Sequence, residues 1–333
     1  MLVGVAANSR RAPQATTPFA AEIARLSETP GYFDTDNLIS NERSYLEVLP
    51  ELERRNVRGG AYVGVGPDQN FSYIAQIRPA IAFIVDIRRD NLLLHLLFKA
   101  LFKQARTRVE YLALLFGRPV PRDLDAWRDR PIAALVEYLQ RAPIDSQSLE
   151  VVRERLDASV RGFGVPLSAD DRTTIERFHQ RFIDSGLALK FESAGRQPQS
   201  YYPTYGDLLL ATDNNGRQRN YLASETSFQF VKVLEERDRV IPVVGNLSGP
   251  SALAAIGRLV AEQGDTLSAF YASNVEFYLE RDGSYPRFVS NLAHLPRTDQ
   301  SVIIRSIFNR GFGGSVSVVQ RVDDVVSQFA GVR

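Results

Sequence analysis

The residues best placed to do chemistry gather at a few points of the chain. The clearest group is Val63-Gly64-Val65-Gly66, closing a short apolar run that begins at Ala61, with Asp86 closing a second run over Ile81 to Val85. Small residues there let the backbone turn tightly and approach a ligand, and the helix that follows offers unpaired N–H groups at its start. A carboxylate at the tip of the neighbouring strand can accept hydrogen bonds from both ribose hydroxyls of an adenosine. The same residues also suit an ordinary tight turn, with Asp86 capping the next helix.

The loop after Gly66 reads Pro67-Asp68-Gln69-Asn70. Pro67 lacks an N–H donor, Asp68 repels a pyrophosphate, and Asn70 stands where a dinucleotide fingerprint has its third glycine. A ligand without phosphate fits better, which favours S-adenosylmethionine over a nicotinamide dinucleotide.

Two further groups can reach such a ligand or its reaction partner. Ser273-Asn274-Val275-Glu276-Phe277-Tyr278 follows an apolar run ending near Tyr271, so Ser273 and Asn274 are candidate substrate contacts. Glu276 is the candidate general base if burial raises its pKa. The segment from Asp36 to Glu42 holds Asn37, Asn41 and Glu42, which serve equally as pocket residues or as a helix-capping cluster. Arg88 can meet an anionic substrate, although a solvated charge is its ordinary role. Gly245-Asn246-Leu247-Ser248-Gly249 lacks the serine of a hydrolase elbow, since Leu247 holds that position.

These groups need strands and helices to hold them. Apolar runs at Ala61–Val65, Ile81–Val85, Val240–Val244 and Leu267–Tyr271 do not alternate, as expected for parallel strands buried on both faces. Helical patterns lie at Pro18–Leu26, Ser44–Arg55 and Phe71–Ile77, and a long helix or bent pair spans Asn91–Phe116. Others follow at Arg130–Gln140, Ser146–Ser159, Ala169–Ser185, Ser224–Glu236 and Ser251–Gln263, with a last strand at Ser301–Phe308. Gly195 to Gly216 reads as an irregular loop. The expected architecture is α/β, a Rossmann-like, doubly wound, mostly parallel sheet with a large helical insertion. Residues 1–56 form an N-terminal arm and helical segment, 57–91 and 237–333 the two parts of the core, and 92–236 a helical insertion or cap.

Composition removes several chemistries. The 333 residues include no cysteine, so disulfides, thiol nucleophiles, Cys-ligated zinc and iron–sulfur clusters are excluded. His95, His179 and His294 are far apart in sequence, and no metal site is expected from them. Forty Lys and Arg against 39 Asp and Glu give no general attraction to nucleic acid or anionic membranes. Residues 1–17 lack the apolar run of a signal peptide and read as a flexible arm, which favours the cytoplasm without excluding export. The expected partner is a small molecule in a cleft, with no membrane and no nucleic acid.

The stretch Ala61 to Asn91 resembles motif I and the following acidic strand end of class I S-adenosylmethionine-dependent methyltransferases. Val240–Gly249 and Leu267–Tyr278 resemble their third and fourth strands. The whole string, with Asp36–Glu42 and Asp86–Asn91, also resembles an uncharacterised bacterial family of methyltransferase-like proteins. The resemblance implies that Gly64 and Gly66 shape the methionine side of the cofactor, that Asp86 holds the ribose, and that Asn246 lies near the adenine. Asp68, Gln69 and Asn70 complete the implied cofactor loop. Where the family usually has an acidic residue at the start of the glycine motif, this chain has Tyr62-Val63. That departure leaves open a methyltransferase-fold protein without cofactor, acting as a binding or structural protein. A hydrolase or lyase using the carboxylate-rich cleft is a further alternative.

Overall fold

The computed structural model describes residues 16–35, 37–193, 197–309 and 314–330. The arm expected at the N-terminus lies outside them up to residue 15, as does Asp36.

Among the described residues six strands form one sheet: β1 (Ala61–Val65), β2 (Ile81–Asp86), β3 (Val240–Val244), β4 (Leu267–Ser273), β5 (Arg297–Asn309) and β6 (Gly314–Arg321). Their order is β3-β2-β1-β4-β5-β6. The first five are parallel, and β6 returns antiparallel to β5. Every residue of β1 and β3 is buried, which is why their sequences are unbroken apolar runs rather than alternating ones. The chain steps outward from β1 through β2 to β3, then crosses to the opposite side of β1 for β4. This reversal opens a crevice beyond the carboxyl ends of the strands, where ligands of open α/β sheets sit.

The helices are α1 (Pro18–Leu26), α2 (Leu49–Arg54), α3 (Gln69–Ile77), α4 (Arg89–Gln104), α5 (Arg108–Leu115), α6 (Ile132–Arg141) and α7 (Ser146–Gly162). They continue with α8 (Ala169–Ser185), α9 (Tyr205–Leu210), α10 (Glu225–Glu236), α11 (Ala252–Glu262), α12 (Val275–Arg281), α13 (Tyr285–Ala293) and α14 (Val322–Ala330). Local chemistry explains their limits. Thr17 caps α1 by accepting the Ala20 N–H, and Ser168 with Asp171 forms a reciprocal capping box on α8. Arg78 ends α3 in a left-handed conformation, φ +54°.

The stretch Asn91–Phe116 is a broken pair, α4 and α5, with Thr107 capping the second helix. α4 is buried on all sides from Asn91 to Phe102 because β2, β3, α7, α8 and α10 pack around it. It is the crossover from β2 towards β3, so the helical stretch beginning near residue 92 starts with an element of the sheet layer. Ser44–Arg55 gives only the short α2, since Pro50 sits in its first turn and turns precede it. The supposed loop over 195–216 contains α9, started by a Thr204–Asp207 capping box. Among the described residues no helix is long and apolar enough to cross a membrane.

Candidate functional site: a cavity at the strand ends

A cavity of about 230 Å³ opens where β1, β2, β3 and β4 end. Its wall includes Val65, Gly66 and Gln69 after β1, Val85, Asp86 and Arg88 at β2, Gly245, Asn246 and Leu247 after β3, and Ser273 and Asn274 after β4. Asn37 and Asn41 close it from the N-terminal segment. Gly66, Gln69, Asp86, Asn246, Asn37, Asn41, Arg88, Ser273 and Asn274 are therefore brought together from across the sequence. Gly64, Asp68, Asn70, Glu42 and Glu276 are not on the wall, and each has a physical reason.

Gly64 and Asn70 are parts of a brace. Asn70 Nδ2 donates to the carbonyls of Val65 (2.9 Å) and Pro67 (2.7 Å), and its Oδ1 accepts the Tyr62 hydroxyl at 2.8 Å. A Cβ on Gly64 would collide with Asn70 Oδ1, so the brace requires glycine there. Gly66 turns the chain at φ +83°, and the neutral His95 ring donates from Nε2 to its carbonyl at 2.9 Å. Burial pushes the His95 pKa down to about 4, so the ring stays uncharged.

Asp68 faces away from the cavity. It is almost fully buried and accepts the Tyr205 hydroxyl at 2.6 Å and the Tyr221 hydroxyl at 3.3 Å. Burial raises its pKa to about 6. Repulsion of a pyrophosphate by Asp68 is thus not a property of this loop. The missing N–H of Pro67 is what weakens it as a phosphate cradle.

Asp86 lines the cavity already engaged. Arg88 grips it with both ends of its guanidinium, Nε to Oδ1 at 3.0 Å and Nη2 to Oδ2 at 2.8 Å, while the Arg88 N–H reaches Oδ1 at 2.9 Å. Arg88 Nη1 also donates to the Thr35 carbonyl at 2.7 Å. The strap from Ser27 to Thr35 is fastened further by Glu28 N–H to the Val244 carbonyl and Gly31 N–H to the Ile87 carbonyl. Glu28 then caps the loop after β3, accepting from the backbone N–H groups of Asn246, Ser251 and Ala252. Phe33 on the strap meets Tyr278 of α12 edge-on, ring centroids 4.8 Å apart, over the cavity.

Glu42 lies just behind the wall, 1% exposed. It accepts the Tyr271 hydroxyl at 2.9 Å and the Ser273 hydroxyl. Gln69 Nε2 donates to the Tyr271 oxygen at 3.4 Å, which leaves the buried Gln69 Oε1 without a partner among the described residues. Glu276, the candidate base read from the sequence, is instead gripped by Arg305 of β5, Nε to Oε2 at 2.5 Å. Burial raises its pKa despite that partner, but Glu276 is off the cavity wall and turned to Arg305, so it does not face a ligand there.

Sequence reasoning missed several wall residues. Tyr32, Phe33 and Phe191 come from segments with no motif. Asn246 reaches the cavity, but its Oδ1 is committed to Ser248 N–H and hydroxyl.

Fold and site together define an α/β protein with a small-molecule-sized cavity at the carboxyl edge of a mostly parallel sheet. The chain belongs to the family described as Domain of unknown function (DUF7790), whose sequence pattern matches residues 38–119 and 188–329. No curated protein matches the chain.

Proposed function

We propose that the cavity binds S-adenosylmethionine and that the protein is a methyltransferase built on a Rossmann-like core. The observation that carries this reading is the convergence of Gly66, Gln69, Asp86 and Asn246 on one cavity at the point where the strand order reverses. The unpartnered Gln69 Oε1 is an acceptor suited to the ligand's ammonium group. Asp86 accepts three N–H donors from Arg88 against roughly four lone-pair sites, so acceptor capacity remains for a ribose hydroxyl. In this reading the adenine lies towards Asn246, which lines the same cavity. When bound, the ligand supplies an electrophilic methyl group, and the protein's part is orientation and exclusion of water by the strap.

The test is calorimetric titration with S-adenosylmethionine and S-adenosylhomocysteine. Asp86→Ala would strand the Arg88 guanidinium, so Asp86→Asn is the better variant; it should weaken binding by about 1.5–3 kcal/mol, roughly 10- to 150-fold, without unfolding. Wild type that ignores both compounds at millimolar concentration sinks the reading.

One observation favours a second reading, a binding protein that keeps this architecture without the cofactor. The bidentate grip of Arg88 already gives Asp86 a structural partner within the chain. Under that reading the titration stays flat, and Asp86→Asn acts on stability alone.

A further inference from the structure

Glu42 is an unusual group for a protein interior. It is a carboxylate at 1% exposure, and none of the ion pairs among the described residues includes it. The titratable groups facing it are Tyr62, Tyr73 and Tyr271, all held in the neutral form by burial. A buried carboxylate without a cation is costly to keep, and such groups concentrate where proton transfer is needed.

Its partner points the same way. Ser273 donates its hydroxyl to Glu42 Oε1, stands at the carboxyl end of β4, is partly exposed, and lines the cavity. The Ser273 backbone is left-handed, φ +51°, a conformation that a non-glycine residue adopts only when its surroundings impose it. The second Glu42 oxygen is fixed by Tyr271, which the cavity residue Gln69 contacts in turn. Base, hydroxyl and orienting group are therefore assembled in hydrogen-bonding order, ending on the cavity.

We propose that Ser273 and Glu42 form a base-activated hydroxyl on the cavity wall, serving a protic acceptor, a hydroxyl or an amine. The O–H bond of a hydroxyl acceptor, or an N–H bond of an amine in its ammonium form, breaks and its proton joins Ser273 Oγ. The Ser273 proton passes to Glu42, which becomes a carboxylic acid, and the electron pair freed on the acceptor is the nucleophile. This substrate class rests on the reading that the cavity is a methyl-transfer site; the activated hydroxyl itself does not.

The test uses a small organophosphorus fluoride, diisopropyl fluorophosphate, on the full chain. Ser273 Oγ attacks phosphorus, fluoride leaves, and the hydroxyl proton goes to Glu42. Mass spectrometry should find the adduct on Ser273, forming faster as pH rises through the Glu42 titration, above the ordinary carboxylate range because burial raises it. Glu42→Gln should slow labelling about 100-fold, as loss of a general base does, and Ser273→Ala should abolish it. Thermal melts check folding. If Glu42→Gln does not fold, the adduct site and pH profile of wild type, with Ser273→Ala, still decide. No adduct on wild-type Ser273, or a rate that Glu42→Gln leaves unchanged, overturns the proposal and makes Glu42 a buttress for Tyr271. An adduct without S-adenosylmethionine binding removes methyl transfer and keeps the activated hydroxyl. Binding without an adduct does the reverse.

Discussion

At the scale of single residues, the glycine loop shows how one sequence motif divides between ligand and scaffold. Gly66 faces the cavity, while Gly64 makes room for Asn70 and Tyr62. Gly64→Ala should therefore destabilise the protein by about 1–3 kcal/mol through overpacking. Denaturant unfolding measures this, and an unchanged midpoint would mean that Asn70 relaxes freely. Asp68 gives a second test. Its pKa is about 6 in the folded protein, against 3.8 for the unperturbed carboxyl of an unfolded chain, so the folded state holds the extra proton between these values. Its contribution to stability is full below about pH 4 and is lost as pH rises through 6, on the order of 3 kcal/mol. Asp68→Asn has no such proton to lose. Wild type should accordingly lose stability relative to the variant between pH 4 and 7, and a constant difference would refute the assignment.

At the scale of elements, charged side chains hold helices together by capping carbonyl groups. Arg108 at the start of α5 is 1% exposed and donates to the carbonyls of Leu222 (2.8 Å), Ala223 (3.0 Å) and Arg128 (3.0 Å), and also to that of Arg130. It thereby ties α5 to the segment before α10 and to the turn before α6. Lys99 in α4 does similar work, donating to the Glu235 carbonyl of α10, pairing with Asp238 at 2.9 Å and lying 4.5 Å from the ring centre of Phe19 in α1. Lysine cannot reproduce the planar fork of Arg108, so Arg108→Lys should cost roughly 2–4 kcal/mol, with several carbonyls left unpaired. A melting temperature within a degree or so of wild type would show that water replaces those contacts.

At the scale of the whole molecule, the family match skips the stretch between residues 119 and 188, which carries α6, α7 and α8. The sheet, α3, α4 and most of the cavity wall fall inside the match. Under native conditions, amides of β1, β2 and α4 should exchange with solvent only through global opening, because their hydrogen bonds are buried. Ligand at the cavity should slow exchange in the strap and in the loops after β1, β3 and β4. Hydrogen exchange with and without S-adenosylmethionine checks both statements, and protection appearing elsewhere would move the site.

The sequence by itself determined the sheet's first four strands, because strands buried on both faces read as near-continuous apolar runs. It determined α1, α8 and α11 nearly to the residue, through periodic apolar positions and, for α8, the capping residue Ser168. β6 and α14 were not read from the sequence; β6 is an edge strand whose partner β5 supplies the reason for its conformation. Above all, only the tertiary structure decided which polar residues face the cavity. Spacing brought Asp68, Asp86 and Glu276 to strand ends, but the turn of one helix sent Asp68 to Tyr205, and Arg305, far along the chain, claimed Glu276. Glu42 and Ser273 meet across more than two hundred residues, a pairing that depends on β4 inserting beside β1, and no local pattern encodes it.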